Sequence, residues 1–362
     1  MLALAPSYIK AIVNPDDKSF SQAECPRLKT GRYDYLRGYS DRIYTPDTKY
    51  FFALDLHQSA SIIPRLLSSI VEAMNFLGPE KCTLSIVEGY STDGTFEILK
   101  LLRTTIERMG ASYYFVSSDL NSRVGDRIEV LAKLRNLALE PLMGSSNLDK
   151  TTVVFLNDVA ICSEDILELI HQRVKQKADM TCAMDWTYVG KDPTFYDVWI
   201  ARGMTGDTFF NIPEDGNWNS AWNLFWNDPT AQSRLNNRQP FQAFSCWNGG
   251  VVFAGEVLRK IKFRHSGKDE CHQGEPKLFC KDMWYNGYGK IAVIPSVSII
   301  YSDDAMRKIK ALKGFTSDWT DKEGEGQQIE WDEKPPDLVK CMRNYQDQPW
   351  VPWNESLPLK IL

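Results

Sequence analysis

The sequence predicts an α/β protein built on a mostly parallel, doubly wound sheet. Three observations carry that expectation. Apolar runs of strand length alternate with amphipathic stretches of helix length from Tyr50 to about residue 175. Gly, Pro, Asn and Asp punctuate the breaks, and each apolar run ends on polar residues. Strands buried on both faces read as continuous apolar runs, with helices covering them.

"YFFALDL", from Tyr50, is the first strand, and "SIIPRLLSSIVEAMNFLG" is a helix ending at Gly78-Pro79. "CTLSIVE" is the second strand, and "TFEILKLLRTTIERMG" the second helix, closed by Gly110. "ASYYFVSS" is the third strand, and "VGDRIEVLAKLRNLALEPL" a third amphipathic helix, stopped by Pro141. "TTVVFL" and "SEDILELIHQRVKQK" complete the series, with Ser163 as N-cap and Glu164 and Asp165 favoured in a first helical turn. Farther on, a Gly-rich loop in "SCWNGG" leads into a strand and a helix. Asp282 then opens a short helix ending near Gly287, and another strand follows. Residues 1–48, with Pro6, Pro15, Pro26 and Pro46, read as an extension packed on the domain. The domain itself spans 49–318, in halves of about 49–175 and 176–318, and 319–362 form a C-terminal extension.

Of 362 residues, 43% are hydrophobic and 25% charged, as in soluble globular chains. The net charge is −5 with Lys and Arg scattered, which excludes a nucleic-acid partner. No stretch reaches the roughly 20 apolar residues that span a bilayer, so no membrane segment is expected. The N-terminus lacks a basic start and an apolar signal region, so the chain reads as soluble as given, or as a piece of a longer, anchored protein. Eight cysteines without a C-x-x-C pair, beside four histidines, argue against structural zinc. Cys271 and Cys280 bracket a loop that a disulfide would close. In the plainer reading all eight cysteines are small buried hydrophobes. "NES" at Asn354 is a glycosylation acceptor if the chain enters a secretory lumen. The aromatic cluster between Trp186 and Trp247 reads equally as core or as a surface on which sugar rings stack.

Ligands of such sheets bind at the carboxyl ends of the strands, near the point where strand order reverses. The residues to inspect are therefore Asp55 to Gln58, Glu88 to Thr95, Ser118 to Arg123, and Asn157-Asp158. Glu88 is placed to accept hydrogen bonds from ribose hydroxyls or a base edge. Asp158 follows its strand directly, where a carboxylate meets a divalent ion that also ties up a diphosphate; Asn-Asp is equally a common turn pair. Arg127 and Arg135, two turns apart on one helix, form either a diphosphate clamp or a solvated surface. Neither the dinucleotide G-x-G-x-x-G nor the P-loop pattern is present.

The phrases "LDLHQSASIIP", "SIVEGYSTDGT", "LAKLRNLALEPL", "VVFLNDVAICSEDILEL", "CAMDW", "FYDVWIAR", "SCWNGGVVF" and "LFCKDMWYNGYGKIAVIPSV" agree in order and spacing over about residues 50–301. In them the chain resembles GT-A glycosyltransferases, most closely the fungal capsule-associated alpha-1,3-mannosyltransferases of glycosyltransferase family 69. The resemblance implies a GT-A-like fold and retaining transfer of mannose from GDP-mannose to a hydroxyl of a mannose-containing glycan. It also implies a divalent cation, Mn2+ or Mg2+, and a Golgi lumen reached through an anchor outside this chain.

By position, His57, Glu88, Asp93, Arg127, Arg135, Asn157 and Asp158 go to the donor. Trp186, Tyr196, Arg202, Trp247, Asn248 and Gly249 go to the sugar and acceptor cleft. Asp282 meets the acceptor hydroxyl, and Asp185 and Asp197 are the candidate nucleophile or ion-pair stabiliser. Ala160 stands where a second D-x-D carboxylate would be. Tyr301 stands at the family's metal-binding His, which leaves Asp158 and Asp303 as metal ligands. The alternatives are transfer from another nucleotide-sugar, a nucleotidyltransferase, and a non-catalytic carbohydrate binder.

Overall fold

The computed structural model describes residues 5–14, 16–38, 48–121, 124–320 and 328–358; Pro15, Pro46 and Arg123, singled out above, lie outside them. In chain order the elements are α1 (Ala5–Val13), β1 (Lys49–Leu56), α2 (Ile63–Leu77), β2 (Cys82–Gly89), α3 (Thr95–Arg108), β3 (Ser112–Ser118), α4 (Arg127–Met143), β4 (Thr151–Leu156) and α5 (Ser163–Lys175). There follow β5 (Met180–Val189), β6 (Asp192–Phe195), α6 (Pro229–Asn236), β7 (Phe241–Gln242), β8 (Gly250–Ala254), α7 (Glu275–Tyr285), β9 (Ile291–Ile299), α8 (Asp303–Lys313), α9 (Thr316–Thr320), β10 (Leu338–Lys340) and β11 (Trp350–Pro352).

The main sheet runs β3-β2-β1-β4-β8-β5-β9-β7, with β6 paired to β5 as a hairpin. Strands β1 to β4 are mutually parallel, and β8 runs antiparallel between β4 and β5. Chain order steps outward from β1 to β2 and β3, then returns to place β4 on the other side of β1. The switch point therefore lies between β1 and β4. This is the α/β, mostly parallel, GT-A-like architecture that the alternation and the resemblance predict. Leu54, Ile86 and Val154 face one layer with Leu66 of α2, Leu102 of α3 and Ile166 of α5. Ala53, Val153 and Phe155 face the other, with Leu139 of α4 and Phe279 and Met283 of α7.

The N-terminal residues are tied down. α1 packs on α2 and α3, Cys25 is bonded to Cys162, and Arg32 donates to the buried Glu168 at 2.9 Å.

Four local expectations change. α4 does not stop at Pro141 but runs to Met143, because the proline falls in the last turn and the buried Leu139 and Leu142 hold that turn on the core. The N-cap of α5 is Cys162, whose N–H donates to Asp165 at 3.0 Å; Ser163 donates instead to Glu72. α7 opens at Glu275 with Pro276 in its first turn, a helix-start signal, so Asp282 sits in its interior rather than at its start. The cysteines pair as Cys25–Cys162, Cys182–Cys246 and Cys271–Cys341, leaving Cys82 and Cys280 as buried thiols. A Cys271–Cys280 bridge does not form, because Cys280 faces the α7 core and donates to the Cys246 carbonyl.

Candidate active site

The carboxyl ends of β1, β2 and β4 enclose a cavity of about 280 Å³, lined by Asp55, His57, Asn121, Arg127, Arg135 and Asp158 among others. It opens at the switch point. His57 Nδ1 bonds the Gly89 carbonyl, tying the β1 end to the β2 end. Asp158 lies solvent-accessible in the cavity wall, and its carboxyl is raised from the usual value, chiefly by burial in that wall. Asp55, the second-to-last residue of β1, is raised to about 7. Burial is the main cause, the Arg135 charge opposes it, and the charges of Glu275 and Asp158 add to it.

Arg135 and Asn157 organise the floor. Arg135 Nε donates to Glu275 at 2.8 Å, both side chains being buried, and its guanidinium lies 4.6 Å from the centre of the Trp247 ring. Asn157 Oδ1 accepts from Trp247 Nε1 at 3.1 Å and from Arg135 at 3.4 Å. Trp247 is therefore a floor tile packed on Phe155 and Phe263, 2% exposed, and not a platform open to a sugar ring.

Two other donor-side residues are already engaged. Glu88 is buried, accepting from the Ser91 N–H at 2.6 Å and from the Ser117 hydroxyl at 2.8 Å. Asp93 accepts from the Ala60 and Thr95 N–H groups and the Thr95 hydroxyl. Burial pushes its carboxyl up, but those hydrogen bonds outweigh it and hold it below the usual value. Both residues shape the loops around the cavity rather than line it.

Beyond β4, the carboxylates of Asp185 and Asp197 lie close together. Asp185 is fully buried; it accepts from the Tyr301 hydroxyl at 2.7 Å, while its other oxygen has no partner among the described residues. Burial, then the Asp197 charge, hold it well above the usual range. Asp197 is half-buried, accepts the Asn248 N–H at 2.9 Å, and is raised to about 6, mainly by burial.

A carboxyl raised on folding is protonated more readily in the folded chain. Its share of stability is therefore full below the unfolded value and fades as pH climbs through the folded one. The ligand-free protein is accordingly expected to melt lower at pH 7.5 than at pH 5.5, by about 1–2 °C per kcal/mol for a chain of 362 residues. Asp197→Asn should reduce that difference; calorimetry across the two pH values reads it.

Several residues assigned to the cleft lie elsewhere. Arg202 is fully buried, donating to the backbone carbonyls of Val198, Ala201 and Lys340, and burial lowers it to about 10. It is a core brace, not an acceptor contact. Trp186 is 3% exposed, with Lys313 Nζ 4.1 Å from its ring centre. Asn248 and Gly249 are buried and left-handed, at φ 50° and 72°. A Cβ at Gly249 would stand 3.0 Å from Val159 and 3.1 Å from the Tyr301 hydroxyl, so the turn needs glycine. Of the six acceptor-side residues only Tyr196 is open to solvent, 46% exposed and edge-on to Tyr301. The aromatic cluster is mostly core: Phe195, Phe209, Phe225 and Phe241 pack ring to ring.

Asp282 gives both oxygens to Arg264, at 2.7 and 2.8 Å, within a network that also holds Glu270. The acid of α7 that reaches the cavity floor is Glu275, seven residues earlier. We expect Asp282→Asn to lower the melting temperature and leave kcat unchanged; thermal melts and turnover on the same sample check both. Asp303 accepts the Ala23 N–H at 2.6 Å beside Arg65 and Arg307, so it secures the N-terminal segment instead of joining Asp158. Tyr301, at the expected metal-histidine position, is committed to Asp185. Asp55 and Glu275 were not singled out from the sequence as site residues. Asp55 stood at an inspected strand end, and Glu-Pro after Gly274 was the unread signal of a helix start.

The family model described as Cryptococcal mannosyltransferase 1 matches residues 49–282. Alpha-1,3-mannosyltransferase CMT1 of Cryptococcus neoformans var. neoformans serotype D is 33% identical over 316 residues, covering 81% of this chain and 67% of that protein. Among solved structures, S. aureus TarS 1–349 gives a TM-score of 0.42 at 16% identity, covering 74% of this chain and 64% of that one. The mannosyltransferase PcManGT of Pyrobaculum calidifontis, solved with GDP-Man and Mn2+, gives 0.42 at 12% identity, covering 90% and 76%. The chain thus spans about two thirds of CMT1 and of TarS 1–349. It belongs to the cryptococcal mannosyltransferase 1 family of glycosyltransferases.

Proposed function

We propose that this chain transfers mannose from GDP-mannose to a hydroxyl of a mannose-containing glycan, forming an alpha-1,3 linkage with retention of configuration. One observation carries the reading. The polar cavity at the β1/β4 switch point joins two carboxylates, Asp55 and Asp158, to two arginines, Arg127 and Arg135. That set suits an anionic diphosphate better than a neutral ligand. Arg127, exposed at the mouth on the first turn of α4, and Arg135 below it supply bidentate donors to phosphate oxygens. His57 and Asn121 are left to read the remainder of the donor. Burial of most of the aromatic cluster weakens the support for a non-catalytic glycan binder.

The donor set also fits a hard divalent cation such as Mn2+ or Mg2+. Two adjacent carboxylates, each raised by burial, gain from a positive charge between them. The described residues contain no cluster of three His, Cys, Asp or Glu side chains able to hold a metal, so the diphosphate would complete the shell. When bound, the cation neutralises charge that develops on the departing nucleotide.

The remaining chemistry falls to the chain. Asp197, half-buried where Asp185 is fully buried, is the carboxylate placed to face the sugar. The Asn248 N–H donates to it and, with the Arg135 charge, offsets part of the rise in proton affinity that burial causes. No helix among the described residues is long and apolar enough to cross a membrane. Three disulfides support an oxidising lumen such as the Golgi.

The test is nucleotide release across GDP-mannose and a panel of other GDP- and UDP-sugars, with and without Mn2+. GDP-mannose should turn over fastest, and Mn2+ should raise the rate. Turnover of another donor without turnover of GDP-mannose overturns the assignment. The anomeric configuration of the product, read by NMR, tests retention.

A further inference from the structure

A second cavity, of about 400 Å³, opens on the opposite end of the sheet, beside the residues that lead into β9. Its wall includes Trp284 and Tyr285 of α7, Trp353, Asp332, Glu333 and Asn354. Aromatic faces framed by carboxylates and an amide are the chemistry that holds neutral sugars, whose C–H faces stack while their hydroxyls hydrogen-bond. The wall has nothing of the paired arginines found in the first cavity. Asn354 also begins "NES", the single N-x-[ST] sequence in the 362 residues.

The turn that carries Asn354 is held firmly. The Glu355 carboxylate accepts the Cys271 N–H at 2.8 Å, and its carbonyl accepts Lys281 Nζ at 2.7 Å. The Asn354 carbonyl accepts the Leu357 N–H at 3.1 Å, and the Tyr285 hydroxyl donates to the Pro358 carbonyl at 2.9 Å. Asn354 is half-buried at the cavity wall, and Ser356, two residues on, is exposed. The Cys271–Cys341 bridge closes beside this turn, so the oxidising compartment that forms it is also one in which such a sequence is modified.

We propose that Asn354 carries an N-linked glycan and that its first sugars lie in this aromatic cavity. In the step, the Asn354 side-chain nitrogen bonds to C1 of the first sugar of a lipid diphosphate-linked oligosaccharide. The C1–O bond to the lipid diphosphate breaks, the diphosphate leaves with that electron pair, and one amide proton is released. The tethered sugar in the cavity then shields the half-buried Trp353. The inference rests on the lumenal part of the function proposed above.

Protein made through a eukaryotic secretory pathway is expected to carry the mass of one N-linked oligosaccharide, removable by peptide N-glycosidase. Asn354→Gln and Ser356→Ala should abolish that mass, and Ser356→Thr should keep it. An unmodified Asn354 in protein with only two titratable thiols overturns the inference while leaving the lumenal reading intact. Eight titratable thiols overturn the lumenal reading and the inference with it. For the cavity, enzymatic removal of the glycan should increase acrylamide quenching of tryptophan fluorescence in the wild type and change it less in Trp353→Ala. If that variant does not fold, the wild-type measurement alone decides. Unchanged quenching after deglycosylation overturns the placement of the sugar.

Discussion

Asp158→Ala is expected to lower the rate of mannosyl transfer by about 10²–10³-fold or more, the usual cost of losing one preorganised charge-stabilising group. The melting temperature should move little. Asp158 is the accessible carboxylate of the β4 end, whereas its neighbour Asn157 carries the structural contacts to Gly249, Trp247 and Arg135. On the proposed function, chemistry and folding are expected to divide between these adjacent residues. Asp158→Asn, which keeps the size and loses the charge, should be nearly as inactive. Side-by-side kinetics and thermal melts decide the matter: an inactive variant that also unfolds would mean that Asp158 is a turn residue, and an active one would remove it from the site.

Arg135→Ala is expected to damage both properties. Removing the guanidinium leaves Glu275 buried without its partner, a loss of about 3–5 kcal/mol, and takes the cation from the Trp247 face as well. The double variant Arg135→Gln, Glu275→Gln removes both charges and should recover much of that stability. It should remain impaired in binding GDP-mannose, since no bidentate cation is left at the floor. Chemical denaturation and calorimetric titration with GDP separate the two effects. A double variant restored in both respects would show that Arg135 serves packing alone.

The sheet was legible because β1 to β4 are buried on both faces, which makes each an uninterrupted apolar run with polar ends. Asp158 was legible for the same reason, as the residue that follows such a run. Asp282 was misplaced along its helix. It lies seven residues from Glu275, on nearly the same face but two turns, roughly 11 Å, farther along the axis. Phase is readable in the sequence and the starting point is not, because Gly274-Glu275-Pro276 reads locally as loop.

Arg202 and Trp247 show another limit. The family resemblance marked them as cleft residues, but Arg202 is claimed by the carbonyl of Lys340, 138 positions away, and Trp247 by Asn157, 90 positions away. No local pattern announces partners so distant. The disulfides escaped notice for the same reason, with separations of 137, 64 and 70 residues.

The carbonyl of Lys340 accepts from Arg202 and, at 2.8 Å, from Lys277, a buried lysine that burial holds well below its usual proton affinity. The next residue, Cys341, is bridged to Cys271. One main-chain oxygen near the C-terminus therefore accepts from two interior nitrogen donors, although it lies 58 residues beyond the stretch that the family model matches. The C-terminal segment is a keystone rather than a tail. A chain cut before β10 would take one acceptor from the Arg202 guanidinium and the Lys340 carbonyl from the buried Lys277 amine. Boundaries drawn from family resemblance alone would yield a fragment that holds the whole cavity at the β1/β4 switch point and lacks the segment that braces Arg202 and Lys277.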